Sequence, residues 1–193
     1  MFAPNHHSAM KHAAPVRREL GVRTLFNLLG PLTNPAGAKN QVMGVFLRDL
    51  TGKLAHVLEQ LGSRHVLVVH GSDGMDEISI SAPTFVAELK DGKITEYSVE
   101  PEQFGLTPAP LNAIQVNSAD EAKDMLLKVL DNQRCVARDI VQLNAGAAIY
   151  VAGLAPSLAE GVKKAGNVIA DGAAKHKLAQ LVEFTNEGFA KGG

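Results

Sequence analysis

The sequence predicts an α/β fold: a mostly parallel central sheet with an antiparallel hairpin, flanked by helices. Three observations carry this. The short apolar runs "QVMGVF" and "RHVLVVHG" bracket a segment of helical period, "LTGKLAHVLEQLGS", and strand, helix, strand in that order pair parallel through a crossover. "TFVAELKDGKITEYSV" is two strand-like runs about Asp91-Gly92, a hairpin signal. From Ser118 onward the pattern is helical.

The elements follow in order. "SAMKHAAPVRRELGVRTLFNLLGP" reads as helical, with Ser8 as N-cap, Pro15 as a kink or fresh start, and Gly30-Pro31 as the stop. "LTNPAGAKN" is loop, and the helix after "QVMGVF" ends at Gly62. "HGSDGMDEISIS" is a loop leaving the strand "HVLVV", and "EPEQFGLTPAPLNAIQV" is a second loop after the hairpin. "SADEAKDMLLKVLDN" opens with a capping box, Ser118 to Glu121. "VARDIVQLNAGAAIYVAGL" is apolar enough for a buried helix. Two more helices start near Pro156-Ser157 and Asp171-Gly172. No internal repeat or low-complexity tract interrupts the chain.

Composition bounds the function. The 193 residues are 46% hydrophobic and 20% charged, enough for one good-sized domain. With 19 basic against 20 acidic side chains the net charge is -1, so nothing draws the chain toward nucleic acid or an anionic membrane. A single cysteine, Cys135, excludes an internal disulfide framework, and a lone thiol in a helical, partly apolar context is expected to be inert. No apolar run approaches a membrane span and no export signal opens the sequence; a soluble, cytoplasmic setting is expected. The opening "MFAPNHHSAMKHAAPVRREL" carries Phe2, three histidines and Met10 within its first dozen residues. That is a chain expected to begin in the middle of a fold.

Three stretches carry chemistry. The first is the loop with Asp73, Asp76 and Glu77. Ligands of open α/β sheets sit beyond the carboxyl ends of the strands, where "HVLVV" delivers these acids. Magnesium is usually held by one or two carboxylates plus substrate phosphates, and adjacent Asp76 and Glu77 in a turn can converge on one ion. Gly71 and Gly74 give the backbone that freedom. The other reading is a solvated turn whose aspartate caps local amides.

The second stretch places His7, Met10, Ala14 and Arg17 on one helix face. A guanidinium suits a carboxylate, and an imidazole with a methionine can flank an aromatic ring. About 15 Å along the axis separates His7 from Arg17, so together they line a channel rather than grip one ligand, or else the face simply packs on a neighbour. The third, "RTLFNLLGPLTNPA", makes a rigid polar bend from Asn27, Gly30, Pro31, Asn34 and Pro35; it receives a ligand or only connects elements. There is no G-x-x-x-x-G-K-[ST], G-x-G-x-x-G, H-E-x-x-H or Cys-His zinc pattern.

These stretches together resemble the anthranilate phosphoribosyltransferases of tryptophan biosynthesis. "FAPNHHSAMKHAAPVRRELGVRTLFNLLGPLTNPA", "VVHGSDGMDEIS", "EQFGLTP" and "LNAGAAIYVAGLAPSLAEGVKKA" occur in that family's order and spacing, across essentially all 193 residues. The resemblance implies a nucleoside phosphorylase/phosphoribosyltransferase-like catalytic domain over residues 1–193, incomplete on its N-terminal side. It implies transfer of phosphoribosyl from phosphoribosyl pyrophosphate to the amine of anthranilate, with release of pyrophosphate. Asp76 and Glu77 would hold Mg2+ with the pyrophosphate. His7, Met10 and Arg17, with Gly30-Pro31, would line the anthranilate channel, Met10 standing where some relatives carry an aromatic residue. No side chain is implied to act beyond positioning substrate.

A homodimer is implied for the full-length parent, with neither nucleic acid nor membrane as partner. The family's glycine-rich phosphate loop and its K-H-G motif are absent from this sequence, as is its N-terminal helical domain. The chain is thus expected to be a carboxyl-terminal portion, inactive alone. A pyrimidine nucleoside phosphorylase and a non-enzymatic nucleic-acid-binding relative are the alternatives; the near-neutral charge disfavours the latter.

Overall fold

The computed structural model describes Glu19, Gly21 and residues 26–190. In chain order these form α1 (Phe26–Leu32), β1 (Asn40–Gly44), α2 (Leu50–Gln60), β2 (His65–Gly71), β3 (Thr84–Lys90) and β4 (Lys93–Val99). Two 3-10 turns, Pro101–Phe104 and Leu111–Ile114, lead to α3 (Ala119–Leu130), α4 (Val136–Val151), α5 (Leu158–Ala170) and α6 (Ala173–Ala190).

The described strands form one mixed sheet in the order β1-β2-β3-β4. β1 and β2 run parallel, with Gly44 opposite Val69. β2 and β3 are antiparallel, with Gly71 opposite Thr84, and β3 and β4 close the expected hairpin with Lys90 opposite Lys93. Asp91 and Gly92 both take positive φ, 51° and 72°, the geometry whose twist matches a two-residue hairpin. The α/β class and the hairpin stand as expected. The parallel part of the described sheet is the single β1–β2 pair.

Side-chain alternation divides the core in two. Leu67 and Val69 of β2, with Val86 and Val99, pack on Ile140, Leu143, Ala147 and Val151 of α4. Val66 and Val68, with Met43, Val45, Ala87 and Leu89, pack on Leu28 of α1 and Leu54, Ala55 and Leu58 of α2. Strand β2 is therefore covered on both faces, which is why it reads as a continuous apolar run.

Helix ends follow local chemistry. α2 stops where Gly62 adopts φ 78°; its N–H donates to the Glu59 carbonyl and that of Ser63 to the Leu58 carbonyl, each at 2.9 Å, a Schellman closure. The Ser118 hydroxyl caps α3 by accepting the Glu121 N–H at 3.1 Å. The reciprocal arm differs from the expected box, because the Glu121 carboxylate accepts from the Asn117 N–H at 2.8 Å instead. α1 also runs past its expected stop: Gly30 and Pro31 lie in its last turn, and Thr33 closes it onto the Leu29 carbonyl through both its N–H and its hydroxyl. α4 buries a stripe rather than its whole surface, since Val141 remains 39% exposed.

α4 and α5 meet at two glycines. A Cβ on Gly146 would overlap the backbone of Val162, and one on Gly161 would overlap the Gly146 carbonyl. At the amino end of β2 the Glu88 carboxylate accepts hydrogen bonds from His65 Nε2 at 2.9 Å, the Tyr97 hydroxyl at 2.9 Å and the Tyr150 hydroxyl at 2.7 Å. The Tyr150 oxygen in turn accepts from Lys90 Nζ at 3.2 Å. Burial alone would raise the Glu88 carboxyl, but the bonds from Tyr150, His65 and Tyr97 outweigh it and hold it below the usual range.

Two outcomes are expected. Gly146→Ala forces the α4 and α5 backbones apart and lowers unfolding free energy by about 1–3 kcal/mol, measured by urea denaturation. Because the folded Glu88 value is depressed, its contribution is present above the ordinary glutamate value of about 4.3 and is lost as pH falls through the lowered folded value. Urea midpoints taken across that window should fall less steeply in Glu88→Gln than in the parent.

Candidate functional site

The loop from Gly71 to Thr84 is held by its own backbone before any side chain is considered. The Gly71 N–H donates to the Met75 carbonyl at 2.8 Å, that of Ser72 to the Pro83 carbonyl at 2.8 Å, and that of Gly74 to the Gly71 carbonyl at 2.9 Å. Inside this frame Asp73 is the hub. Its carboxylate accepts the Met75 N–H at 3.1 Å, the Ser79 hydroxyl at 2.5 Å and the Ser81 hydroxyl. The Ser79 N–H donates to the Thr84 hydroxyl at 2.9 Å, which ties the hub to β3. Burial would raise the Asp73 carboxyl, yet the bonds from Ser79, Ser81 and Met75 hold it below the usual range. Asp73 is a structural residue of the loop.

Asp76 and Glu77 take no part in that network. Both side chains are exposed, and among the described residues neither carboxylate has a hydrogen-bond or ion-pair partner. Shielding by the surroundings, and then the charge of Asp76, push the Glu77 carboxyl above its usual range. A cavity of about 410 Å³ opens beside them, walled by Met75, Ile114, Val116, Met125, Leu126 and Val141. An acidic pair against an apolar wall interacts with a cation more strongly than a fully hydrated one.

The donor set fits magnesium in the sense that matters chemically. Two hard oxygen groups are available, and among the described residues no third His, Cys, Asp or Glu joins them. That suits an ion which keeps several waters and completes its shell with substrate phosphates, rather than one caged by protein alone.

The remaining sequence-derived residues are placed differently. His7, Met10 and Arg17 lie outside the described residues. Gly30 and Pro31 are described, and Pro31 lines a smaller recess of about 170 Å³ with Lys39, Gln41 and Leu61. That recess lies by the start of β1, whereas Asp76 packs on its last residue, Gly44. The length of β1, roughly 15 Å, separates them, so the described residues do not bring Gly30-Pro31 together with the acidic pair.

Two residues at the site escaped the sequence reading. Gly44, at the end of β1, lies beneath the Asp76 carbonyl so closely that a Cβ there would overlap it. Asn144 of α4 accepts the Ile78 N–H at 2.9 Å and donates to the Ile78 carbonyl at 2.9 Å. Neither has a local signal, because each meets its partner only through tertiary folding. The Asp73 turn did have one, since "SDG" is an Asx-turn sequence.

The family described as "Glycosyl transferase family, a/b domain" matches residues 1–175, and this chain belongs to it. Within that family it is similar to proteins named anthranilate phosphoribosyltransferase. The one from Nitrosomonas eutropha is 66% identical over 187 residues, covering 97% of this chain and 55% of the relative. That from Laribacter hongkongensis is 62% identical with the same coverage. Among solved structures, anthranilate phosphoribosyltransferase from Thermus thermophilus superposes with a TM-score of 0.84 at 46% identity, over 92% of this chain and 53% of that one. The Saccharomyces cerevisiae enzyme in complex with PRPP and Mg does so with a TM-score of 0.81 at 26% identity, over 92% of this chain and 51% of that one. The chain spans about half the length of the curated relatives it matches.

The contrast between the acids is measurable. Asp73→Ala removes three hydrogen bonds and should lower unfolding free energy by about 1–2 kcal/mol. Asp76→Ala, which breaks none, should stay within about 0.5 kcal/mol of the parent. Urea unfolding of both variants checks this.

Proposed function

We propose that this chain supplies the α/β part of an anthranilate phosphoribosyltransferase. In that reaction the amine of anthranilate attacks C1 of phosphoribosyl pyrophosphate, the C1–O bond to pyrophosphate breaks, and the amine proton is released. Residues 1–193 then belong to one catalytic α/β domain. The observation that carries the reading is the unpartnered Asp76–Glu77 pair, at the carboxyl end of β2, in a chain 66% identical to relatives of that name. Further support comes from solved neighbours whose names specify a complex with 4-fluoroanthranilate and one with PRPP and Mg.

Asp76 and Glu77 would hold the ion and, through it, orient the pyrophosphate. Bound there, Mg2+ would neutralise charge developing on the departing pyrophosphate. The chain's own contribution is positional. Asp73 keeps the loop rigid, and an apolar wall from Met75 to Val141 stands beside the acids. His7, Met10 and Arg17, with Gly30 and Pro31, would line the approach of anthranilate. Arg17 pairs with its carboxylate in this reading. The working form is a cytoplasmic homodimer of the full-length protein, with no nucleic acid or membrane among its partners. The net charge of -1 is consistent with this, and among the described residues no helix is long and apolar enough to cross a membrane.

The test is a chimera in which these residues replace the matched segment of the 66% identical Nitrosomonas europaea relative. It should convert anthranilate and phosphoribosyl pyrophosphate to product in a Mg2+-dependent manner. Asp76→Asn with Glu77→Gln should lower kcat/KM by about 100-fold or more. A folded chimera that instead cleaves thymidine with phosphate, or a double variant with unchanged Mg2+ dependence, would overturn the reading.

A further inference from the structure

The acidic pair is held at two points by residues distant from it in sequence. At the peptide that joins the two acids, the Asp76 carbonyl is seated on Gly44, where even a methyl group would overlap it. Gly44 is itself paired with Val69 in the parallel ladder, so it cannot retreat without breaking the β1–β2 register. Downstream, Ile78 is 2% exposed and part of the main core. Both of its backbone polar groups are satisfied by one side chain, the amide of Asn144. The second amide hydrogen of Asn144 donates to the Ile140 carbonyl at 3.0 Å, which fixes the amide's orientation on α4.

We propose that Gly44 and Asn144 are positioning residues: Gly44 seats the Asp76–Glu77 peptide itself and Asn144 holds the next residue, Ile78, and together, as a clamp, they aim both carboxylates at one ion. The argument rests on the reading of that pair as a metal site, and adds what holds it. Two adjacent like charges repel and would swing apart in an untethered turn. With the Asp76 carbonyl seated on β1 and Ile78 tied to α4, the dihedrals between them have little freedom. Residues that orient a ligand without touching the metal typically change affinity by about 10- to 100-fold when removed.

The probe is Mn2+ alone, titrated at millimolar concentration into this 193-residue chain while amide resonances are followed by NMR. In the parent, paramagnetic broadening should centre on residues 75–78. In Asn144→Asp, the volume is kept but the two donors become an acceptor facing the Ile78 and Ile140 carbonyls. The Mn2+ concentration giving half-maximal broadening should rise by about tenfold. Gly44→Ala should do the same. Amide exchange at Ile78 should quicken in Asn144→Asp, with distant core amides still protected.

A purely structural role would lower the thermal midpoint and leave the Mn2+ midpoint of the folded protein unchanged. That result in Asn144→Asp overturns the proposal even if Gly44→Ala does not fold. Asp76→Asn with Glu77→Gln separates the two readings. Broadening at 75–78 that survives in it, or is missing from the parent, overturns the metal site and the clamp together. Broadening that vanishes there but is untouched in the clamp variants overturns the clamp alone.

Discussion

Strand β2 is the constraint on which the rest depends. Val66 and Val68 are buried against one pair of helices and Leu67 and Val69 against the other side of the sheet. A slip of one residue would exchange the two sets and leave neither fitting its core. The register of β2 with β1 and with β3 is thereby fixed, and with it the point at which the chain leaves the sheet. His70 reinforces that exit, its Nδ1 lying 2.8 Å from the Val45 carbonyl at the end of β1. The loop that follows starts from a position set by roughly a dozen buried side chains.

What the loop does with that start is a division of labour among three carboxylates. Asp73 turns inward and is consumed by hydroxyl and amide donors from Met75, Ser79 and Ser81, so its charge serves rigidity. Among the described residues Asp76 and Glu77 are left with none. Shielding, and then the charge of Asp76, raise the Glu77 carboxyl, a local cost that a cation would relieve under the proposed function. Local conflicts of this sort are expected at functional sites, where consistency is given up for chemistry.

The sequence was most legible where structure is local. The Asp91-Gly92 hairpin, the Gly62 helix stop, the Ser118 arm of the α3 cap and the helix start near Ser157 are written in two to four adjacent residues and formed as read, whereas the Glu121 arm of the expected box did not. Asp76 and Glu77 could be singled out because they follow an apolar strand. Their support could not be. Asn144 is 66 positions from Ile78, and the need for glycine at position 44 exists only because a carbonyl from another segment arrives there. The reach of α1 through Gly30-Pro31 was likewise set by closure onto Leu29 rather than by the proline. The His65–Glu88–Tyr97 group was equally hidden, since strand register alone decides which polar side chains face one another.

Helix α4 joins these separate features into one mechanical unit. Ile140, Leu143, Ala147 and Val151 form its core stripe, Gly146 admits α5, and Asn144 grips Ile78 from the adjoining face. Six residues on, about 9 Å along the axis, Tyr150 bonds Glu88 at the opposite end of β2. The helix therefore touches the strand system near both ends, through a polar anchor at each and apolar packing between. A substitution that shifts α4 along its axis must move the Ile78 contact as well as the core. Stability of the α4–α5 pair and the geometry of the acidic loop are coupled through the same rigid element, without any contact between Gly146 and the acids.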